Sequence, residues 1–262
     1  MEKQPFRLRG REVSRVEAFS DVVFGFALTL IVVSLEVPRT FDELMETMKG
    51  FPAFAICFAI LTWVWHVHHT FFRRYALNDE VTIALNMVLL FVVLFYTYPL
   101  KYMFSLVTGE IRGGFGGGTL MVIYGVGFAG IFALFLAMYA HAWRLRDELE
   151  LSELERYDTR TNMMMYASYI VIGALSATIG ATLTGPAVRW AGLMYWLLGP
   201  VSGIIGYWRG SRRQRLQVAI AQRTPNAMQT VAVPSVAAVG PNRSDAMPAP
   251  SPDSAIVNVT NP

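Results

Sequence analysis

Arg15-Val16-Glu17-Ala18-Phe19-Ser20-Asp21 leads without a break into Val22-Val23-Phe24-Gly25-Phe26-Ala27-Leu28-Thr29-Leu30-Ile31-Val32-Val33. A charged first turn followed by a long apolar run is the pattern of a helix entering a bilayer. About 20 mostly apolar residues span a hydrocarbon core ~30 Å thick. Residues 17–37 meet that length, and five further runs do so at 51–71, 81–104, 119–140, 162–183 and 190–208. The first run resembles a signal peptide only superficially. No small-residue cleavage site follows it and it ends at Glu36-Val37-Pro38, so it is read as retained. Pro38, Gly50-Phe51-Pro52 and Gly185-Pro186 punctuate the runs. The expected fold is an all-α integral membrane protein with six transmembrane helices per subunit.

Composition agrees. Only 16% of the 262 residues are charged and 54% are hydrophobic, where a soluble domain carries about 25% charged residues. Seventeen Lys and Arg fall in the N-terminal, second, fourth and last hydrophilic segments, against five in the other three. That bias places both termini in the cytoplasm, as an even number of spans requires. The same basic residues flank apolar segments instead of forming one patch, which argues against nucleic acid as a partner. A lone Cys57 excludes a disulfide framework. The glycine-rich loop 109–118 lacks the Lys-Ser/Thr of a phosphate-binding loop.

Two domains are expected: a transmembrane region, 1–210, and a disordered cytoplasmic tail, 211–262. The tail has no Phe, Trp or Tyr and holds seven of the thirteen prolines. Such a segment buries too little apolar surface to offset its ordering entropy. Its basic start, with Arg209, Arg212, Arg213 and Arg215, suits anionic lipid headgroups. The acidic and basic residues of 148–158 read as a solvated amphipathic extension of the fourth helix.

The first helix carries the chemistry. An Asp one turn into a span costs about 3 kcal/mol on insertion scales, so Asp21 is expected to have a partner. At 100° per residue, Phe19, Val22, Phe26, Thr29, Leu30 and Val33 form one stripe, and Asp21 lies about 140° from Phe26. The second helix ends Trp63-Val64-Trp65-His66-Val67-His68-His69. His66 and His69 share a face, and one of them is the expected partner of Asp21, with Asn86 another. Zinc would need a further ligand such as His141 or Asp21. Aromatic and basic residues at a membrane interface explain the same residues without metal. Ser168, Ser176, Gly173 and Gly180 read as close helix packing. No Ser–His pair in partnering helices supports an enzyme.

Arg-x-x-x-Phe-Ser-Asp at the head of a first spanning helix, here Arg15, Phe19, Ser20 and Asp21, resembles the signature of the transmembrane protein 175 family. These are endosomal/lysosomal and bacterial potassium channels. The Trp- and His-rich second helix is similar too, and the resemblance covers about residues 10 to 208. It implies the prokaryotic single-repeat form: a multi-pass protein of the cell membrane that assembles as a homotetramer around four first helices. Lipids and copies of itself would be its partners and potassium its permeant ion, with no cofactor.

The resemblance places the narrowest constriction five residues after the signature Asp, at Phe26, where the family usually has Ile or Leu. Thr29, Leu30 and Val33 would line the rest of the pore, and Arg15, Phe19, Ser20 and Asp21 would position the helix. Nothing resembles a Thr-Val-Gly-Tyr-Gly filter; an apolar constriction gates by dewetting and favours the ion that is cheaper to dehydrate, potassium over sodium. Two alternatives stay open: a proton-coupled secondary transporter using Asp21 and the second-helix histidines, and a non-conducting scaffold.

Overall fold

A backbone in hydrocarbon must satisfy its polar groups within its own segment, and helices do this. The computed structural model describes residues 6–10, 12–33, 39–49, 51–107 and 117–231, and these are helical or connecting, with no strand among them. In chain order the helices are α1 (Arg15–Val33), α2 (Phe41–Lys49), α3 (Phe51–Tyr75), α4 (Glu80–Val107), α5 (Gly117–Arg144), α6 (Glu153–Thr182), α7 (Arg189–Leu193) and α8 (Leu198–Val231). Four of them, within α3, α4, α5 and α6, are long and apolar enough among the described residues to cross a membrane. The chain divides after Ala219, and the contacts below lie within the first unit.

Three boundaries differ from the sequence reading. The sixth run, 190–208, is not one uninterrupted α-helix. It passes from α7 through a 3-10 turn, Met194–Leu197, into α8. Pro200 has no N–H to give to a carbonyl four residues back, so it is tolerated only in a first turn, and α8 restarts just before it. Residues 148–158 are not an extension of the preceding helix either. α5 stops at Arg144, and Ser152 caps a new helix, α6. The Ser152 hydroxyl accepts from Glu155 N at 3.3 Å while Glu155 Oε2 accepts from Ser152 N at 3.0 Å, a capping box. Finally, α8 stays helical to Val231, through the first part of the segment assigned to the tail. Residues 232–262 and most of the loop 109–118 lie outside the described residues.

α5 and α6 cross closely because glycines face one another seven residues apart. A Cβ on Gly125 would stand 2.6 Å from Gly173 O and 2.8 Å from Ala177 N, both backbone. Gly118 and Gly180 make the second such contact. Small residues let backbones approach where lipid supplies no hydrophobic drive. Around this crossing sits an aromatic core of Phe71, Phe132, Phe135, Tyr139 and Tyr166. Ser176 donates to Ala191 O (2.9 Å), and the Tyr169 and Ser202 hydroxyls pair at 2.8 Å, which ties α7 and α8 to α6.

The segment before α1 is tied down at one end of the bundle. Gly10 N donates to Arg73 O at 3.2 Å, and a Cβ at Gly10 would meet Phe72 O at 2.8 Å. Phe6 packs edge-on against Tyr75, under the Arg74 guanidinium. Arg9 reaches Glu155 with both terminal nitrogens, at 3.1 Å each. It also donates to the backbone carbonyls of Leu149 and Arg74.

At the α3–α4 turn, Asp79 accepts from Thr82 Oγ1 (2.6 Å) and lies 2.7 Å from His141 Nε2 of α5. Partial burial alone would raise the Asp79 carboxyl, but the Thr82 and His141 hydrogen bonds outweigh it and hold it below the usual carboxylate range. The folded state therefore prefers ionised Asp79. The stability this confers is present above the unfolded pKa of about 3.9 and is lost as pH falls through the lower folded value. Wild type should out-melt Asp79→Asn near neutral pH and lose that advantage below about pH 4. A constant gap across the acid range would refute the assignment.

Candidate functional site

α1 has two unlike faces. Phe24, Ala27 and Ile31 are buried against the bundle, as are Glu17 and Ser20. The other face is open from end to end: Arg15, Ala18, Phe19, Val22, Gly25, Phe26, Thr29 and Leu30 are all exposed in the subunit. Phe26 is 63% and Val22 55% exposed, so the described residues of the same subunit leave them largely uncovered. Val33 closes α1, and its side chain lies outside the described residues. Five of the six residues of the expected stripe thus share this face, with Thr29 Oγ1 donating back to Phe26 O at 2.8 Å.

The buried face is held by polar contacts that alternate along the α1–α3 seam. Trp65 Nε1 donates to Asp21 Oδ1 at 2.8 Å. One turn along each helix, His69 Nδ1 stands 3.2 Å from Glu17 Oε1, and the His69 ring stacks on Trp65. Asp21 and Glu17 are four apart, as are Trp65 and His69, so two antiparallel helices meet rung by rung. The expected histidine partner of Asp21 is therefore replaced by the Trp65 indole. His69 is at the seam but serves Glu17, and His66 is exposed.

A second connection runs through α4. Asn86 Nδ2 donates to Ser20 Oγ at 2.9 Å, and the Ser20 hydroxyl donates to Val16 O at 2.7 Å. That leaves Asn86 Oδ1 as acceptor for His68 Nε2, at 2.8 Å. The His68 proton is thereby assigned to Nε2. Phe24 and Phe72 flank the imidazole. His68, Asn86 and Ser20 are fully buried, and an oriented chain of donors joins α3, α4 and α1. Asn86→Leu removes the acceptor of His68 and the donor to Ser20 with little change of volume. It should cost roughly 1–2 kcal/mol and lower the melting temperature of the purified protein in detergent. An unchanged melt would show that the chain of bonds holds nothing.

Of the signature residues, Ser20 and Asp21 position α1 within the subunit, whereas Arg15 and Phe19 point away from it. Sequence reasoning missed Glu17, Trp65 and His68 as partners. The signal was available in part: Glu17 and Asp21 share one helical edge, as do Trp65 and His69. No group of three His, Cys, Asp or Glu residues is arranged for a metal among the described residues; His141 goes to Asp79.

Residues 15–96, which hold α1, α2, α3 and most of α4, match the family model described as the endosomal/lysosomal potassium channel TMEM175. A potassium channel of Marivirga tractuosa is 35% identical over 233 residues, covering 80% of this chain and 93% of that protein. A potassium channel of Chamaesiphon minutus is 33% identical over 96 residues, 34% of this chain and 47% of that protein. Among solved structures, a variant of the potassium channel MtTMEM175 in complex with a nanobody–MBP fusion matches with a TM-score of 0.69 at 33% identity. It covers 80% of this chain and 99% of that one.

Proposed function

This chain belongs to the TMEM175 family, and from that premise we propose that it is a potassium channel, a passive conductor selective for potassium over sodium. The observation that carries the reading is the two-faced first helix. On its buried edge Asp21 accepts from Trp65, Ser20 accepts from Asn86, and Glu17 lies 3.2 Å from His69, all inside the subunit. The stripe through Phe19, Val22, Phe26, Thr29 and Leu30 is left for something outside the subunit. Four copies of α1 around an axis would turn this stripe inward as the wall of a pore.

Phe26 is then the constriction, with Thr29, Leu30 and Val33 beyond it. A ring of apolar side chains offers an ion no replacement for its water, so passage favours the ion that is cheaper to strip, which is potassium. The Thr29 oxygen, whose proton goes to Phe26 O, keeps lone pairs for a partly hydrated cation. In this reading the subunit has six spans, with the α7–α8 region as the last. Both termini lie in the cytoplasm, and the protein sits in the cell membrane as a homotetramer. A proton-coupled transporter would pair Asp21 with the second-helix histidines, whereas Asp21 here accepts from Trp65.

The test is potassium and sodium flux into liposomes holding the purified protein. Potassium flux in excess of sodium, not saturating with concentration as a carrier would, supports the channel. A correctly inserted protein that passes no potassium would sink it.

A further inference from the structure

The facing ends of α5 and α6 meet α8 around an open groove of about 500 Å³. Four arginines line it, Arg146, Arg156, Arg160 and Arg209, and among the described residues Glu153 is the one carboxylate in its wall. Two of the four are fixed by partners of their own. Arg156 bonds Asp147 (2.7 Å) and Leu151 O (2.9 Å), and Arg209 bonds Thr161 Oγ1 (2.9 Å) and Tyr157 O (3.1 Å). The other two keep donors to offer. Arg160 has no hydrogen bond or ion pair among the described residues and lies 4.5 Å over the Trp143 ring. Arg146 lies 5.4 Å over the same ring, with one nitrogen on Trp143 O and a 3.6 Å approach to Asp147.

Stacking on an indole holds a guanidinium by its face and leaves its N–H edge free. Two such edges on one groove, with Arg209 as a further positive charge in its wall, match the oxygens of a phosphate. The depth of the groove narrows the choice of phosphate. The apolar runs of α5 and α6, 119–140 and 162–183, both stop short of the groove, which places it just outside the hydrocarbon, where lipid headgroups lie. Trp143 and Tyr157 in its wall are the aromatic residues favoured at that level. On α8, Ile204, Tyr207 and Trp208 are exposed just before Arg209, and Leu216 adds an apolar lining.

We propose that this groove seats the phosphate of one anionic phospholipid from the adjoining leaflet, with Arg146 and Arg160 as its direct donors. The proposal is independent of ion conduction. The free anion shares the chemistry, and the experiment separates the two sources.

The full chain in detergent is offered phosphatidylglycerol or phosphatidylcholine at about 0.15 M salt, where charges beyond ~8 Å are screened. Retained lipid is counted by native mass spectrometry. Wild type should retain phosphatidylglycerol in preference. Arg146→Gln with Arg160→Gln should lose about 30-fold, at roughly fivefold per arginine, and Arg146→Lys with Arg160→Lys should keep part of the affinity. Arg7→Gln with Arg144→Gln removes the same charge from exposed positions outside the groove and should change little. Equal loss in both Gln pairs, or none in the first, overturns the site. Displacement of the lipid by inorganic phosphate at equal concentration overturns the lipid as its occupant. Should the first Gln pair not fold, absence of any headgroup preference in wild type overturns it as well.

Discussion

Phe26→Ala is expected to raise potassium flux into liposomes and to bring sodium flux closer to it, while leaving the fold intact. The side chain is 63% exposed, so truncating it opens no cavity in the subunit. A change at such a position normally moves stability by no more than about 0.5 kcal/mol. What it would remove, in the proposed tetramer, is the ring that excludes water from the axis. If that ring contributes about 1.4 kcal/mol to the barrier, flux rises about tenfold. Discrimination falls because a wetted passage no longer requires the ion to shed its shell. Phe24 supplies the contrast, two residues away on the other face. It is 2% exposed and packs on His68. Phe24→Ala should cost about 3–5 kcal/mol of stability through packing. Flux and selectivity unchanged in a well-folded Phe26→Ala protein would remove Phe26 from the pore.

Arg9→Ala is expected to be among the most destabilising single substitutions in the chain. The guanidinium makes two 3.1 Å bonds to the Glu155 carboxylate, and the two side chains are only 12% and 6% exposed. Removing Arg9 leaves Glu155 buried, with only the N–H groups of Arg7 and Ser152 for company. Breaking a buried pair in this way costs about 3–5 kcal/mol, because the surviving charge is uncompensated. The loss also frees carbonyls at Leu149 and Arg74, and with them the attachment of the segment that leads into α1. Arg9→Lys should restore only part of it, since an ammonium cannot make the two-pronged contact. Thermal unfolding of the purified protein measures both effects. An Arg9→Ala protein that melts with wild type would show the pair to be dispensable.

The two residues were unequally visible. Helical periodicity puts Phe26 on a six-residue stripe about 140° from Asp21, and the resemblance of the Arg-x-x-x-Phe-Ser-Asp signature singles it out within that stripe. Arg9 reads in the sequence as one more basic residue flanking a span. Its partner left a better trace, because Ser152 and Glu155 have the spacing of a capping box and mark the start of α6 within a segment that otherwise looks like one charged extension. The second helix shows the limit most sharply. Trp65, His66, His68 and His69 crowd into little more than one turn, and each is a reasonable partner for a buried carboxylate. The structure distributes them: Trp65 to Asp21, His69 to Glu17, His68 to Asn86, and His66 outward.

Hydropathy in the sequence was enough for the membrane class and the all-helical character, and helical periodicity for the stripe along α1. A bilayer imposes a length and a composition on any segment that crosses it, and both are local properties of the chain. Which polar residue meets which was decided only in the tertiary structure. One residue turns a helix by 100°, so a partner depends on how far each helix is rotated and slid against its neighbours. Rotation and slide are set by contacts distant in sequence, such as Gly125 against Gly173 and Arg9 against Glu155.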